Sequence, residues 1–361
     1  MQTDLRSAFP VLERVAYLNT GSVGPVPTAA ADAAREELED ALRNGRGGKA
    51  HFDRLIEMGD RLRVRVASLM GAAAGEIALT GATTDGVNAV VAGLDLRPGD
   101  EVLTSDEEHP GLLAPIASAR ERRGVKVRVA PFAELAGAVT AQTRLVACSH
   151  VGWQTGRVMD TKALSAAGAP VLLDGAQGLG AVPVDVGALG CDYYAASGQK
   201  WLCGPIGSGY LYVRSERIAG LAPAAPGYQT LSEPLRALDL PLKEGAARFD
   251  RGFPPSENLA WALASLDVLG DDGSFQATAV EGARRLARLL VERGLTVAPR
   301  GDSTLVSWET SDPESESARL LGAGYLVRNL PGTPYVRASV GAWTGEKELA
   351  GLAEEAAASR S

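Results

Sequence analysis

Residues 192–213 read DYYAASGQKWLCGPIGSGYLYV: an apolar run, a lysine set between a Ser-Gly pair and a Gly-Pro turn, and a second apolar run. Short runs rich in aromatic and branched residues, bounded by glycine and proline, signal strands, so Lys200 stands in the connection between two of them. Upstream the same signal recurs in EIALT (76–80), EVLTS (101–105), VKVRVAP (125–131), TRLVACSH (143–150) and PVLLDGAQ (170–177). Helical stretches alternate with these runs, which predicts an α/β fold with a mostly parallel sheet covered by helices. Residues 29–43 and 51–70 read as packing helices, the second with Leu55, Leu62 and Val66 near helical spacing.

A Pro- and Gly-rich passage over 221–255 interrupts the alternation. Beyond it the sequence predicts helices at 257–269 and 277–293, strands near STLVSW and YVRASV, and a closing helix from Gly345. The expected organisation is an N-terminal segment, 1–18, packing with the small domain, a large domain over 19–250 and a small α+β domain over 251–361. The 361 residues are 45% apolar and carry a net charge of -8, with no basic stripe to follow a phosphate backbone, so nucleic acid is not an expected partner. Asp4, Arg6, Glu13 and Arg14 break every apolar run at the start, which reads as neither signal peptide nor membrane span and gives a cytoplasmic expectation. Cys148, Cys191 and Cys203 have neither metal-ligand spacing nor an even count for a disulfide framework, and no metal is expected.

Ligands of α/β sheets bind beyond the carboxyl ends of the strands, so the polar residues there carry the chemistry. LTGATTDGVNAVV (79–91) puts Thr83 and Thr84 at a helix start, where free amides and hydroxyls cradle a phosphate. The plain alternative is an N-cap by Thr84, with Asp85 complementing the helix dipole. VLLDGAQGLGAVPVDV (171–186) ends a buried strand in Asp174, a costly place for a carboxylate unless a cation meets it. Its glycines run G-x-x-G-x-G rather than G-x-G-x-x-G, and Pro183 argues against a helix opening there. A nicotinamide-dependent dehydrogenase is the different-class alternative, and this order weighs against it. His109 follows an acidic run at a strand-helix junction. Lys200, beside Trp201 and Leu202, is a candidate Schiff-base amine, because burial favours its neutral form. A nucleophilic lysine, a strand-end carboxylate, a phosphate cradle and a histidine that can stack on a ring together are the parts that hold pyridoxal phosphate.

GATTDGVN, EHPG, SHVGWQTG, VLLDGAQGLGAVPVDV, SGQKWLCGPIGSGYLYV and YVRASVGAWTGEKELAGL, in this order, resemble the class V aminotransferase family over nearly the whole chain. That family includes cysteine desulfurases, selenocysteine lyases and isopenicillin-N-epimerase-like proteins. The resemblance implies a fold type I pyridoxal-phosphate enzyme, homodimeric, with active sites at the subunit interface. By position, Lys200 carries the cofactor and acts as general base, Asp174 keeps the ring nitrogen protonated, Gln177 donates to the ring hydroxyl and His109 stacks on the ring. Thr83, Thr84 and Ser197 hold the phosphate, Arg337 binds the substrate carboxylate, and Asn19 lies in the loop that contributes to specificity. The implied reaction runs through an external aldimine and a quinonoid to transamination or to β-elimination of the C-S lyase type.

Departures from the family pattern bear on the reaction. Gln199 replaces the histidine of S-x-H-K, placing a neutral amide near the phosphate. His150, counted with the cofactor-binding residues, precedes VGWQTG where many desulfurases have asparagine. RFDRGFPPSEN resembles RFE-x-G-T-P, by which one subunit reaches its neighbour's phosphate, but Phe253 takes the threonine position and Ser256 is the substitute nearby. LVRNLPGTPYVR (326–337), where a desulfurase offers its persulfide-forming cysteine, has none. Desulfuration and epimerisation therefore stand as alternatives behind transamination and β-elimination.

Overall fold

In the computed structural model, which describes residues 5–358, a two-residue strand, β1 (Ala16–Tyr17), precedes two long helices, α1 (Thr28–Asn44) and α2 (Lys49–Met70). Residues 1–4 of the N-terminal segment and 359–361 lie outside the described residues. α2 buries Leu55, Leu62 and Val66 on one stripe and stops at Gly71, whose left-handed φ of 63° lets its amide reach back to the last turn.

The seven apolar runs then form one sheet: β2 (Ile77–Thr80), β3 (Glu101–Ser105), β4 (Lys126–Ala130), β5 (Thr143–Ser149), β6 (Val171–Asp174), β7 (Tyr193–Ser197) and β8 (Gly209–Val213). Their order is β2-β8-β7-β6-β5-β3-β4, and β8 alone is antiparallel to its neighbours. Between strands lie α3 (Thr83–Gly93), α4 (Pro110–Arg123) and the short α5 (Thr161–Ala166), α6 (Val186–Leu189) and α7 (Ser215–Ile218). Successive strand residues face opposite sides. Tyr193, Ala195 and Leu211 pack with the residues of α3 and α4, while Tyr194, Ala196 and Tyr210 pack with those of α2 and of α8 (Ser256–Leu269). Burial on both sides is why these strands read as continuous apolar runs. Edge strand β4 differs, spending Lys126 and Arg128 on its outer positions.

The C-terminal part adds α9 (Ser274–Glu292), β9 (Leu305–Glu309), α10 (Pro313–Gly322), β10 (Tyr325–Leu326), β11 (Arg328–Asn329), β12 (Tyr335–Ser339) and α11 (Glu346–Ala358). β11, β12 and β9 make an antiparallel sheet over a core that includes Leu286, Trp308, Val336 and Leu352. β1 pairs in parallel with β10, and Asn19 bridges Ser339, so the start of the chain is stitched to this lobe before it enters the large sheet. Among the described residues no helix is long and apolar enough to cross a membrane, and no group of three or more His, Cys, Asp or Glu could hold a metal ion.

The passage over 221–255 is loop with 3-10 turns, and one residue at its end is fixed firmly. Asp250 accepts from the Arg63 guanidinium at 2.8 and 3.3 Å and from the Leu79 amide at 2.8 Å, while Arg63 also reaches the Ile77 carbonyl at 2.5 Å. This cluster joins α2, the edge strand β2 and the passage. Removing the cation leaves a buried carboxylate unpaired, a loss that costs about 3 kcal/mol or more. Arg63→Met is expected to lower the urea midpoint accordingly without changing the denaturant slope, and an unchanged midpoint would show that Asp250 relaxes to water.

Candidate active site

The carboxyl ends of β5, β6 and β7 open into a cavity of about 260 Å³ that is closed from the other side by the small lobe and the N-terminal loop. Lys200 comes from the connection after β7 and Asp174 from the end of β6. His109 lies just before α4, Thr83 and Thr84 open α3, and Arg337 reaches in from β12. Gln177, Ser197 and Gln199 also line this space.

The Thr83-Thr84 pair does not act as an N-cap. The cap position is Ala82, which has no side chain to spend, and Asp85 accepts from the Gly81 amide instead. In the first turn of α3 the Asp85 and Gly86 amides bond to the Ala82 carbonyl at 3.1 and 3.3 Å, so the amides of Thr83 and Thr84 are the ones left without a helix carbonyl. The Thr83 and Ser197 hydroxyls are buried with no hydrogen-bond partner, as is Gln199 Oε1. Buried polar atoms left unpaired cost free energy; the two hydroxyls, which can donate, describe a seat for a polyanion such as a phosphate, whereas Gln199 Oε1 is an acceptor and needs a donor.

His109 Nδ1 accepts from the Gly111 amide at 3.0 Å, which requires the neutral imidazole with its proton on Nε2. Burial, with Lys200, Arg328 and Arg337 nearby, pushes the histidine down to about 4, in agreement with that bond. The ring meets Trp153 edge-on at 5.2 Å. Asp174 accepts from the Ala176 amide, 2.9 Å away, and burial raises its carboxyl despite that bond and Lys200. Lys200 is lowered to about 8, chiefly by burial, with Asp174 opposing and Arg337 and Arg328 adding to the shift.

Arg337 is fully buried. Its Nη1 donates to the Trp153 carbonyl at 2.6 Å, while Nε and Nη2 have no partner. Burial, with Arg328 across the strand pair, lowers it to about 9. A buried guanidinium holding two empty donors toward a cavity is built for a carboxylate.

Gln177 is already tied on two sides, donating to the Gly21 carbonyl at 2.8 Å and accepting from Trp201 Nε1 at 2.9 Å, which leaves one N–H for a ligand. Two predicted residues stand away from the cavity. His150 does not line it: its Nδ1 meets the Tyr194 hydroxyl at 3.0 Å behind the turn after Asp174, because residues just past β5 point into the core before the chain turns out at Trp153. Asn19 stands one step back, accepting from Ser22 Oγ at 2.7 Å. Ser256, expected to reach the neighbouring subunit's phosphate rather than this cavity, is the first residue of α8, within 3.5 Å of Glu257. Three lining residues were not singled out individually by the sequence, although Ser22 and Arg328 lie in the stretches YLNTGSVGP and LVRNLPGTP expected to contribute to specificity. Trp153 reads as core, Arg328 sits on a two-residue strand, and Ser22 belongs to a loop distant in sequence; Arg328 Nη1 accordingly donates to Ser22 Oγ at 3.0 Å.

The glycines after Asp174 serve packing. A Cβ on Gly175 would lie 2.0 Å from the Tyr194 ring, and one on Gly178 would lie 2.2 Å from its hydroxyl and 2.7 Å from His150. Tyr194 and His150 thus fill the space beneath the turn, and only glycine admits them.

Comparison with known proteins identifies the setting. A family model described as Aminotransferase class-V matches residues 16–294. The chain is 32% identical over 283 residues to a probable cysteine desulfurase of Methanothermobacter thermautotrophicus, covering 75% of this chain and 70% of that protein. A solved mutant of C-DES with glycine covalently linked to its PLP cofactor superposes with a TM-score of 0.91 at 27% identity, covering 98% of each chain. The complex of the cystine C-S lyase C-DES with its product cysteine persulfide gives 0.90 at 27% identity over 97% of this chain and 99% of that one.

His150 makes acid stability testable. Burial lowers it to about 4 in the folded protein, against about 6.5 in an unfolded chain. Between those values the unfolded chain holds a proton that the folded one refuses, so His150 removes stability as pH falls from about 6.5 toward 4. Glu108 and Asp174, both raised, act in the opposite direction. His150→Gln is expected to unfold at lower temperature than wild type at pH 7, with the gap narrowing toward pH 4; a gap constant with pH would refute the neutral buried histidine.

Proposed function

The chain belongs to the class V aminotransferase family, and on that premise we propose that it is a pyridoxal-phosphate lyase that breaks the Cβ–S bond of a disulfide amino acid with a carboxylate at each end, as in cystine. The observation that carries this reading is the pair of guanidiniums facing the cavity, Arg337 with two empty donors and Arg328 nearer the N-terminal loop. When bound, pyridoxal phosphate supplies an aldehyde that condenses with amines and a pyridinium that accepts the electron pair released at the α-carbon. The orphaned hydroxyls of Thr83 and Ser197 and the first turn of α3 suit its phosphate. Asp174 suits its protonated nitrogen, the neutral His109 its face, the remaining N–H of Gln177 its hydroxyl, and the Lys200 amine its aldehyde.

Arg337 binds the substrate's α-carboxylate and so orients the Cα–H bond. Lys200 Nζ, lowered to about 8, has a neutral fraction at neutral pH and takes the α-proton. His109 is unsuited to that task, because its Nδ1 lone pair is spent on Gly111. Arg328 receives the distal carboxylate. With cystine, loss of the α-proton and of the β-sulfur, then hydrolysis, converts cystine and one water to pyruvate, ammonia and cysteine persulfide. Atoms and electrons balance without an external oxidant or reductant.

Desulfuration through a protein persulfide lacks its nucleophile. β11 and β12 are joined by a tight hairpin in which the Leu330 amide donates to the Tyr335 carbonyl at 3.0 Å, and the connection carries no cysteine. All three cysteines are buried, and burial pushes each thiol up, away from thiolate. Transamination uses the same residues, but the second guanidinium favours the longer substrate.

Wild type is expected to show a visible band that borohydride fixes to Lys200, and to yield pyruvate and persulfide from cystine; Lys200→Ala should lose turnover. Arg328→Leu should raise KM for cystine about tenfold or more, leaving a substrate with one carboxylate nearly unaffected. Pyridoxamine phosphate as the product form would instead mean transamination, and a colourless protein that pyridoxal phosphate cannot reconstitute would end the cofactor reading.

We also infer a cytoplasmic homodimer. Leu42 of α1, Ile206 near the lysine turn and the fully exposed Leu235 and Leu238 of the 221–255 passage leave apolar surface uncovered. Sedimentation at micromolar concentration is expected to give twice the chain mass, and Leu235→Lys with Leu238→Lys should shift it toward the single chain; a wild type that sediments as the single chain refutes the dimer.

A further inference from the structure

Glu108 is buried beneath the cavity, and the reaction above gives it no role. Its Oε1 accepts from Ser105 Oγ at 2.5 Å, its Oε2 from Ser149 Oγ at 2.5 Å, and the Ser149 amide lies 3.0 and 2.9 Å from the two oxygens. The carboxyl therefore joins the end of β3 to the end of β5. The two acids before it tie the same connection elsewhere: Asp106 accepts from the Phe132 amide at 2.9 Å, and Glu107 from Thr155 Oγ1 at 2.7 Å and Arg157 Nη1 at 2.8 Å. The acidic run before His109 is thus a set of anchors.

The next residue is His109. Its own bond to Gly111 stays within the turn, and its edge contact with Trp153 restrains tilt, so neither sets the height of the ring above the sheet. Ser149 does, because it pairs in register with Asp174 on β6. Through Ser149, Glu108 refers the backbone of His109 to the strand pair that carries Asp174.

We propose that Glu108 is a positioning residue: it locks the backbone of His109 to the end of β5 beside Asp174 and so fixes the gap between imidazole and carboxylate that a planar ring must enter. The proposal rests on the pyridoxal-phosphate reading. Burial, with Asp174 adding and the two serines opposing, pushes Glu108 up to about 7, and the clamp holds in both protonation states. Ionised, the carboxylate accepts from both hydroxyls and the amide. Protonated, it donates to one serine oxygen while the Ser149 amide still donates to its other oxygen.

The test uses wild type, Glu108→Ala, Glu108→Gln and Ser149→Ala, each reconstituted with pyridoxal phosphate, with visible circular dichroism of the bound cofactor read beside kinetics and thermal unfolding. Glu108→Ala, which removes the clamp, is expected to keep the cofactor, to change the intensity or position of the visible dichroic band, and to lower kcat about 10- to 100-fold with KM within about twofold. Glu108→Gln, which offers one donor and one acceptor as the protonated carboxyl does, should restore both readouts toward wild type, and Ser149→Ala, which keeps the backbone amide on Glu108, should move them as Glu108→Ala does but by less. If Glu108→Ala fails to fold, Ser149→Ala decides by the same criteria. A folded Glu108→Ala with the wild-type band and kcat overturns the positioning role alone, as does a loss of kcat fully accounted for by a smaller folded fraction. A wild type that never develops the band overturns the cofactor reading and this proposal with it.

Discussion

Two parallel strands end at one level and a third runs two residues beyond it. Ser149 of β5 pairs with Asp174 of β6, and Asp174 pairs with Ala195 of β7, which continues to Ser197, so the ends of three strands form a floor on which the cavity is built. Parallel pairing fixes this register through backbone bonds buried on both sides, where a slip of one residue would turn every side chain to the wrong face. The lysine turn, the carboxylate and the loop bearing Trp153 all leave from this floor. The small lobe then needs to bring little, and it brings cations.

Charge is divided accordingly. The floor holds Asp174 and Glu108, both raised by burial, while Arg337, Arg328 and Lys200 approach from above and beside it. A buried cation group without full partners destabilises the empty protein, and anionic ligands recover that cost on binding. The site is thus strained electrostatically before it is loaded, and its neutral histidine, positioned between acids and bases, adds no further charge.

Much of this was legible in the sequence, for physical reasons. All seven apolar runs became strands, because burial on both faces of the sheet leaves a continuous apolar pattern in all but edge strand β4, and the polar residues that end β6 and β7, Asp174 and Ser197, line the cavity. Legibility failed where position depends on a turn rather than on a period. His150 lies one residue past a strand and points to Tyr194, whereas Trp153, three residues further, lines the cavity. Thr84 resembled a cap, but the helix begins one residue earlier. The glycines after Asp174 resembled a nucleotide loop, and their reason is a tyrosine contributed by the neighbouring strand, which no local pattern records. Arg328 lay in a stretch expected to shape specificity but could not be singled out, because its place beside Arg337 follows from the pairing of β11 and β12.

The hairpin between β11 and β12 has a consequence for where sulfur goes. A loop closed by a hydrogen bond between Leu330 and Tyr335 offers no tether on which a sulfur atom could ride from one site to another. On the lyase reading, the reactive product departs as a free solute, and its delivery becomes a matter of diffusion and of how soon an acceptor meets it. Such a protein acts as a source of sulfane sulfur for its surroundings, with the choice of recipient left to whatever thiols are abundant near it.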